Sequence, residues 1–264
     1  MKVVLHVKQW TTRTNSANRY LISRNEQVEF SSSVGLLQLA SPANGQMFVI
    51  AEGMGGLSND RLASEVAIRL FYQLHQSDLH PWSEEELRIF MLTAHRKIRE
   101  QIAKERLPLM GCSVLIAWLK QDQLIWCGIG KSSLGLYRNE KYTLLNRPHS
   151  FAEFAYRDGF STPERGERLA QAWFYGSKLR DQAANIRIDK GLDTGSLWVQ
   201  PKDRLVLSSS GLMNQLPPGE IEAALQLDDP IEHLHQFHSL FLKDTIAITL
   251  QFSDLNLSDS PADD

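Results

Sequence analysis

Glu52 is the residue where a chemical reading of this chain begins. It closes the apolar run in "FVIAEGMGG", residues 48–56, and a glycine-rich turn follows at once. A strand that stops on a carboxylate, beside backbone with no Cβ to hold a ligand off, is how a chain presents an acid to a bound metal ion. Other stretches offer chemistry more weakly. "GIGKSS", residues 128–133, carries the Gly-Lys-Ser step of a phosphate loop, but Ile125 stands where that motif needs its first glycine. The following "LGLYR" has the pattern of a strand, not of the helix a phosphate loop opens, so this is a turn between strands. His233, His235 and His238 lack the His-Glu-x-x-His pattern of zinc proteases. The first two are two residues apart and point to different faces, so a surface helix is the better account. "SSSGL", residues 208–212, follows an apolar strand without the Gly-x-Ser-x-Gly of a nucleophile elbow, and reads as a serine-rich loop.

The bulk numbers exclude several function classes. The 264 residues, 42% hydrophobic and 22% charged, are ordinary globular usage with ample material for a core. A net charge of -3 and a pI near 6.3 give no electrostatic reason to expect nucleic acid or an anionic membrane. Cys112 and Cys127 make neither a disulfide framework nor a zinc set; both lie in apolar, strand-like surroundings and read as reduced core residues. The opening "MKVVLHVKQW" is interrupted by His6 and Lys8, and no stretch reaches the roughly 18 apolar residues of a membrane span. A cytoplasmic protein is the expectation.

The elements that must position Glu52 follow from periodicity. Strand patterns cover Val3–Val7, Gly35–Leu39, Met47–Ala51, Ser113–Leu119, Leu124–Gly128, Leu134–Arg138, Tyr142–Leu145, Gly195–Val199, Arg204–Ser208 and Thr245–Phe252. "KQDQ" and "NEK" are the short polar connections of two hairpins. From Asp60 to Leu74, Leu62, Val66, Leu70 and Leu74 recur every fourth position, which predicts an amphipathic helix. A second helix opens at "PWSEEEL", with Ser83 and Glu86 as a capping box. Phe151–Asp158 and Pro218–Gln226 predict shorter helices. Paired helices among hairpins of strands indicate an α+β fold with mainly antiparallel sheets. No repeat or linker divides the chain, so one domain is expected over residues 1–252. The acidic, serine-rich "SDLNLSDSPADD", residues 253–264, reads as a disordered tail.

Taken in order, these segments resemble the metal-dependent type 2C (PPM) serine/threonine protein phosphatases, especially their bacterial members. "FVIAEGMGGLSNDRLAS" is similar to the family's "FVVADGMGGH…AS". "GCSVLIAWLKQDQLIWCGIGKSSLGLYRNEKYTLLNRPHS", residues 111–150, resembles "GTTLVAAL…NVGDSRAYL…LT.DHS". "KDRLVLSSSGLMN", residues 202–214, resembles "GDRLLLCSDGLTD", and "DTIAITLQ", residues 244–251, resembles "DNITVVVV". The resemblance implies a four-layer α-β-β-α sandwich with two central antiparallel sheets. It also implies a pair of Mn²⁺ or Mg²⁺ ions held by aspartates and water, which activate a bridging water for attack on phosphorus.

Carried over position by position, the resemblance implies a degenerate metal site. The family's bridging aspartate is Glu52 here, one methylene longer, while Gly53, whose carbonyl is a family ligand, is kept. The aspartate of "GDS" is Lys131, that of "SDG" is Ser210, and of the late "DN" pair Asp244 is kept. In the N-terminal motif the phosphate-binding arginine becomes Asn15 and the metal-binding aspartate Tyr20; an alternative register over Arg24, Asn25, Glu26 and Gln27 also lacks the aspartate. Two close divalent ions need several negative charges around them. With Glu52 and Asp244 left, no cofactor is expected, and Lys131 is a candidate to neutralise Glu52 in the metal's place. The resulting expectation is a pseudophosphatase that binds a phosphoprotein, a serine/threonine kinase or another protein partner. The alternative is an active metal-dependent phosphatase whose Glu52, Gly53 and Asp244 hold Mn²⁺ or Mg²⁺. Trp173, Phe174 and Tyr175, within Phe160–Gln182, lie where the family has a variable flap.

Overall fold

The alternation of apolar residues builds two sheets, each buried on both faces. The computed structural model describes residues 2–10, 18–24, 27–30, 35–40, 45–53, 60–76, 83–105, 112–148, 192–216, 218–228, 230 and 245–253. The first sheet runs β4 (Gly35–Ala40), β1 (Lys2–Trp10), β12 (Thr245–Ser253), β11 (Arg204–Ser208), β8 (Ser133–Arg138) and β9 (Lys141–Leu144). The second runs β10 (Asp193–Trp198), β7 (Gln123–Ile129), β6 (Cys112–Lys120), β5 (Gln46–Gly53), β2 (Asn18–Arg24) and β3 (Gln27–Phe30). Every pairing is antiparallel.

Successive side chains of a strand point to opposite faces, and β5 shows what this does. Phe48 and Ile50 join Tyr20, Leu115 and Trp126 against Leu5, Leu134, Leu207 and Ile248 of the first sheet. Met47, Val49 and Ala51 instead meet Ala67, Phe71, Leu87 and Met91. Those four residues belong to α1 (Asp60–Gln76) and α2 (Glu84–Glu105), which cover the second sheet. On the far side, Tyr137, Val206 and Ala247 pack beneath α3 (Ser210–Gln215) and α4 (Pro218–Leu225). The order of layers is helix, sheet, sheet, helix, as the resemblance implies.

Local signals account for the ends of these elements. Ser83 Oγ accepts the Glu86 N–H at 3.2 Å and donates to Glu86 Oε2 at 3.0 Å, and three glutamates fill the first turn of α2. The "NEK" hairpin places Asn139 and Glu140 at φ 52° and 60°, the two positive angles a type I′ turn requires. Three features differ from the sequence expectation. β2 and β3 were not foreseen, because "NRYLISR" and "QVEF" carry polar residues at their ends. The serine-rich stretch at 208–212 is not wholly a loop, since α3 begins at Ser210. β12 runs to Ser253, one residue into the expected tail. The helix expected over Phe151–Asp158, the three clustered histidines, the flap aromatics and residues 254–264 lie outside the described residues.

Candidate functional site

β5 carries Glu52 to the edge of the second sheet as its penultimate residue. Cross-strand, Glu52 pairs with Asn18 of β2 and Ser113 of β6. Alternation along β5 puts it on the face of Phe48 and Ile50, toward the first sheet. Gly53 ends the strand opposite Cys112 and is buried. On the facing sheet β11 ends at Ser208, whose hydroxyl meets that of Ser133 at 2.8 Å in the interior. Ser209 then ties the chain to β12: its N–H donates to the Ile246 carbonyl and its Oγ accepts the Ile246 N–H, both at 3.0 Å.

Ser210 faces Glu52 across the gap between the sheets. Its backbone N–H donates to Glu52 Oε2 at 2.8 Å, and its hydroxyl donates to Oε1 at 2.5 Å. Both carboxylate oxygens are therefore engaged by one residue, 158 positions away. Burial raises the Glu52 pKa above the usual carboxylate value; the two bonds from Ser210 and attraction by Lys131 work against that rise. Lys131 itself is exposed, in the crossover that leaves β7 in one sheet and enters β8 in the other. The contacts on the carboxylate come from Ser210, and Lys131 acts on it through its charge.

Gly130 fixes that crossover against the site's floor. Its φ is +96°, and a Cβ there would lie 2.2 Å from Ser113 Cβ, so no other residue fits without displacement. Asn146 braces the same turn, donating from Nδ2 to the Ser132 carbonyl at 2.9 Å and accepting the Leu134 N–H at 2.7 Å.

The other positions named from sequence divide. Tyr20 is 2% exposed in the core between the sheets and pairs with Ile50, one pleat deeper than Glu52. The register puts Asn18, the asparagine that closes the "NSAN" stretch aligned with the N-terminal motif, across from Glu52. Arg24 and Gln27 pair with each other at the β2–β3 turn. That turn is six residues from Asn18, roughly 20 Å along the strand. Asn15, Asn25, Glu26 and Asp244 lie outside the described residues. Asn18 and Ser113 are the cross-strand register partners of Glu52, and Ser209 precedes Ser210 in the chain; Ser113 and Ser209 lie inside stretches quoted from the sequence, which gave them no role of their own.

The comparisons with known proteins bear on this geometry. No family model matches the chain. The "Protein phosphatase PhpP" of Streptococcus pneumoniae is 27% identical over 188 residues, covering 70% of this chain and 74% of that protein. Among solved structures, the serine/threonine phosphatase Stp1 of Staphylococcus aureus superposes with a TM-score of 0.68 at 18% identity, covering 95% of this chain and 94% of that one. The fold is that of the PPM-type phosphatases. The chain's homologues are type 2C serine/threonine phosphatases of bacteria. The Mycobacterium tuberculosis phosphatase PstP matches with a TM-score of 0.66 at 18% identity, over 96% of this chain and 100% of that one; its catalytic domain has been solved in complex with two manganese ions.

The PPM fold thus raises the question of whether the residues of this chain fit such a pair of ions. Among the described residues, no three His, Cys, Asp or Glu side chains gather where they could hold a metal. Among the described residues, the carboxylate at the site is Glu52; both its oxygens are directed at Ser210 donors, and the charge acting on it is that of Lys131. A serine hydroxyl is a neutral ligand and brings none of the negative charge a second carboxylate would supply. The described donor set does not fit two divalent ions.

Proposed function

We propose that this chain is a pseudophosphatase: a PPM-fold scaffold that binds a phosphoprotein, a serine/threonine kinase or another protein partner without hydrolysing phosphate. The Glu52–Ser210 contact carries this reading, because it occupies with hydrogen bonds the carboxylate a metal would need. The positions that resemble metal-binding aspartates hold Lys131 and Ser210 in place of acids, which supports loss of metal binding. Its phosphatase relatives support a protein partner, and a kinase is the partner a phosphatase fold would oppose. We read residues 1–252 as one domain. Two buried free cysteines support a reducing, cytoplasmic setting. No helix among the described residues is long and apolar enough to cross a membrane.

The alternative is an active phosphatase with Glu52, the Gly53 carbonyl and Asp244 around one metal, and the similarity to PhpP favours it. Phosphate release from a phosphothreonine peptide and from p-nitrophenyl phosphate, with millimolar Mn²⁺ or Mg²⁺, decides between them. No metal-dependent turnover is expected. Turnover in the wild type that disappears in Asp244→Asn would establish the alternative.

A further inference from the structure

We infer that the Glu52–Ser210 contact is a cation-free clasp, in which a backbone N–H and a hydroxyl hold one carboxylate and so join the two sheets where a bound cation would join two carboxylates. The inference deepens the proposed function and rests on it in one respect, that no cation occupies this place.

Three observations carry it. Glu52 belongs to the second sheet and Ser210 follows directly on β11 of the first, so the pair of bonds spans the sandwich. The contact is also self-contained, since each carboxylate oxygen receives its own donor, at 2.8 and 2.5 Å. Finally, among the described residues the acceptor for both Ser210 donors is Glu52. Ser209 stands at the N-cap of α3 but makes no side-chain cap bond, because its hydroxyl accepts the Ile246 N–H. The Ser210 N–H, which an N-cap side chain does not reach, takes its acceptor from the other sheet.

The pairing is complementary in one direction only. A hydroxyl at position 210 donates to the carboxylate, whereas a carboxylate there would set two anions within contact distance and demand a cation between them. Glu52 and Ser210 are therefore a coupled pair. The long side chain of Glu52 reaches both Ser210 donors directly across the gap between the sheets. Buried carboxylates left without donors are strongly destabilising, so neither partner can change alone without cost.

The test uses the full chain in EDTA, with thermal and urea denaturation of the wild type, Glu52→Gln, Ser210→Ala and the double variant. Each single change is expected to lower Tm by at least about 5 °C, and the double variant to lie no lower than the worse single one. Additive losses, or singles that leave Tm unmoved, would overturn the clasp. A second arm reads the cation directly. Ser210→Asp is expected to lose stability in EDTA and to regain several degrees in millimolar Mn²⁺ while the wild type does not shift; a wild type that gains as much as Ser210→Asp overturns the inference. Should Ser210→Asp not fold, the cycle in EDTA decides alone. That cycle reads stability and not turnover. It can therefore fail in a chain that is still inactive, or hold in one that proves to release phosphate, and the two failures stay distinguishable.

Discussion

Replacing Gly130 by alanine probes how tightly the β7–β8 crossover is seated against the candidate site. The substitution introduces two costs that the structure separates. The first is conformational: at φ +96° an L-residue is strained by roughly 1–2 kcal/mol relative to glycine. The second is steric. The new methyl would sit 2.2 Å from Ser113 Cβ and 2.9 Å from Ser113 Cα, a clash with backbone that no rotamer change relieves. Overpacking of this kind costs about 1–3 kcal/mol. The sum is roughly 2–5 kcal/mol, and at about 2–4 °C per kcal/mol for a domain of this size Tm should fall by roughly 4–20 °C. Urea denaturation of Gly130→Ala measures the sum, and Gly130→Ala combined with Ser113→Gly divides it. Removing the Ser113 methylene relieves the 2.2 Å contact but leaves the 2.9 Å contact and the backbone angle. Partial recovery is therefore expected. A single variant within about 0.5 kcal/mol of wild type, or a double variant fully restored, would refute the reasoning, because either means the crossover moves freely.

Two further outcomes follow from buried charge. Arg138 grips Asp203 with Nε at 2.8 Å and one terminal nitrogen at 2.6 Å, and Asp203 is 2% exposed. Arg138→Met leaves that carboxylate its bond from the Gln200 N–H at 2.7 Å, and should cost about 3 kcal/mol in urea unfolding; a loss below about 1 kcal/mol would show that water reaches Asp203. Burial on α2, with Arg99 beside it, lowers the His95 pKa from 6.5 to about 4. The unfolded chain then binds more protons than the folded one between those values, so stability falls as pH drops through that window, by about 3 kcal/mol in total. His95→Leu should flatten that part of the pH–stability curve, and an unchanged slope would place the acid sensitivity elsewhere.

The fold was legible wherever one strand or helix carries its own period. "FVIA" and "CSVLIAWL" announce strands because they are apolar throughout but for Ser113, and both are buried on two faces. β2 was missed because Tyr20, Leu21 and Ile22 are flanked by asparagine and arginines, too short an apolar core to stand out. α3 was missed because six residues give no periodicity and the serines at 208–210, where it starts, favour loops. Which strand joins which sheet is not written locally. β7 and β8 follow each other closely in sequence yet belong to different sheets. The site divides the same way. Glu52 at a strand end beside glycines was visible. Its partner was not, because Ser210 looks like a lost acid until the backbone brings its N–H and hydroxyl onto the carboxylate.

The place of β12 has a consequence for how the chain is made. β12, residues 245–253, lies between β1 and β11, pairing with β1 along its whole length and with β11 over Ala247–Gln251. The first sheet is thus split until the last strand arrives: β1 with β4 on one side, β11 with β8 and β9 on the other. The second sheet has all six of its strands by residue 198. On the ribosome it can pair while the apolar face of its future partner still waits for nearly fifty more residues. During that interval an unfinished sheet edge and a wide apolar surface are exposed, the condition under which nascent chains depend on chaperones.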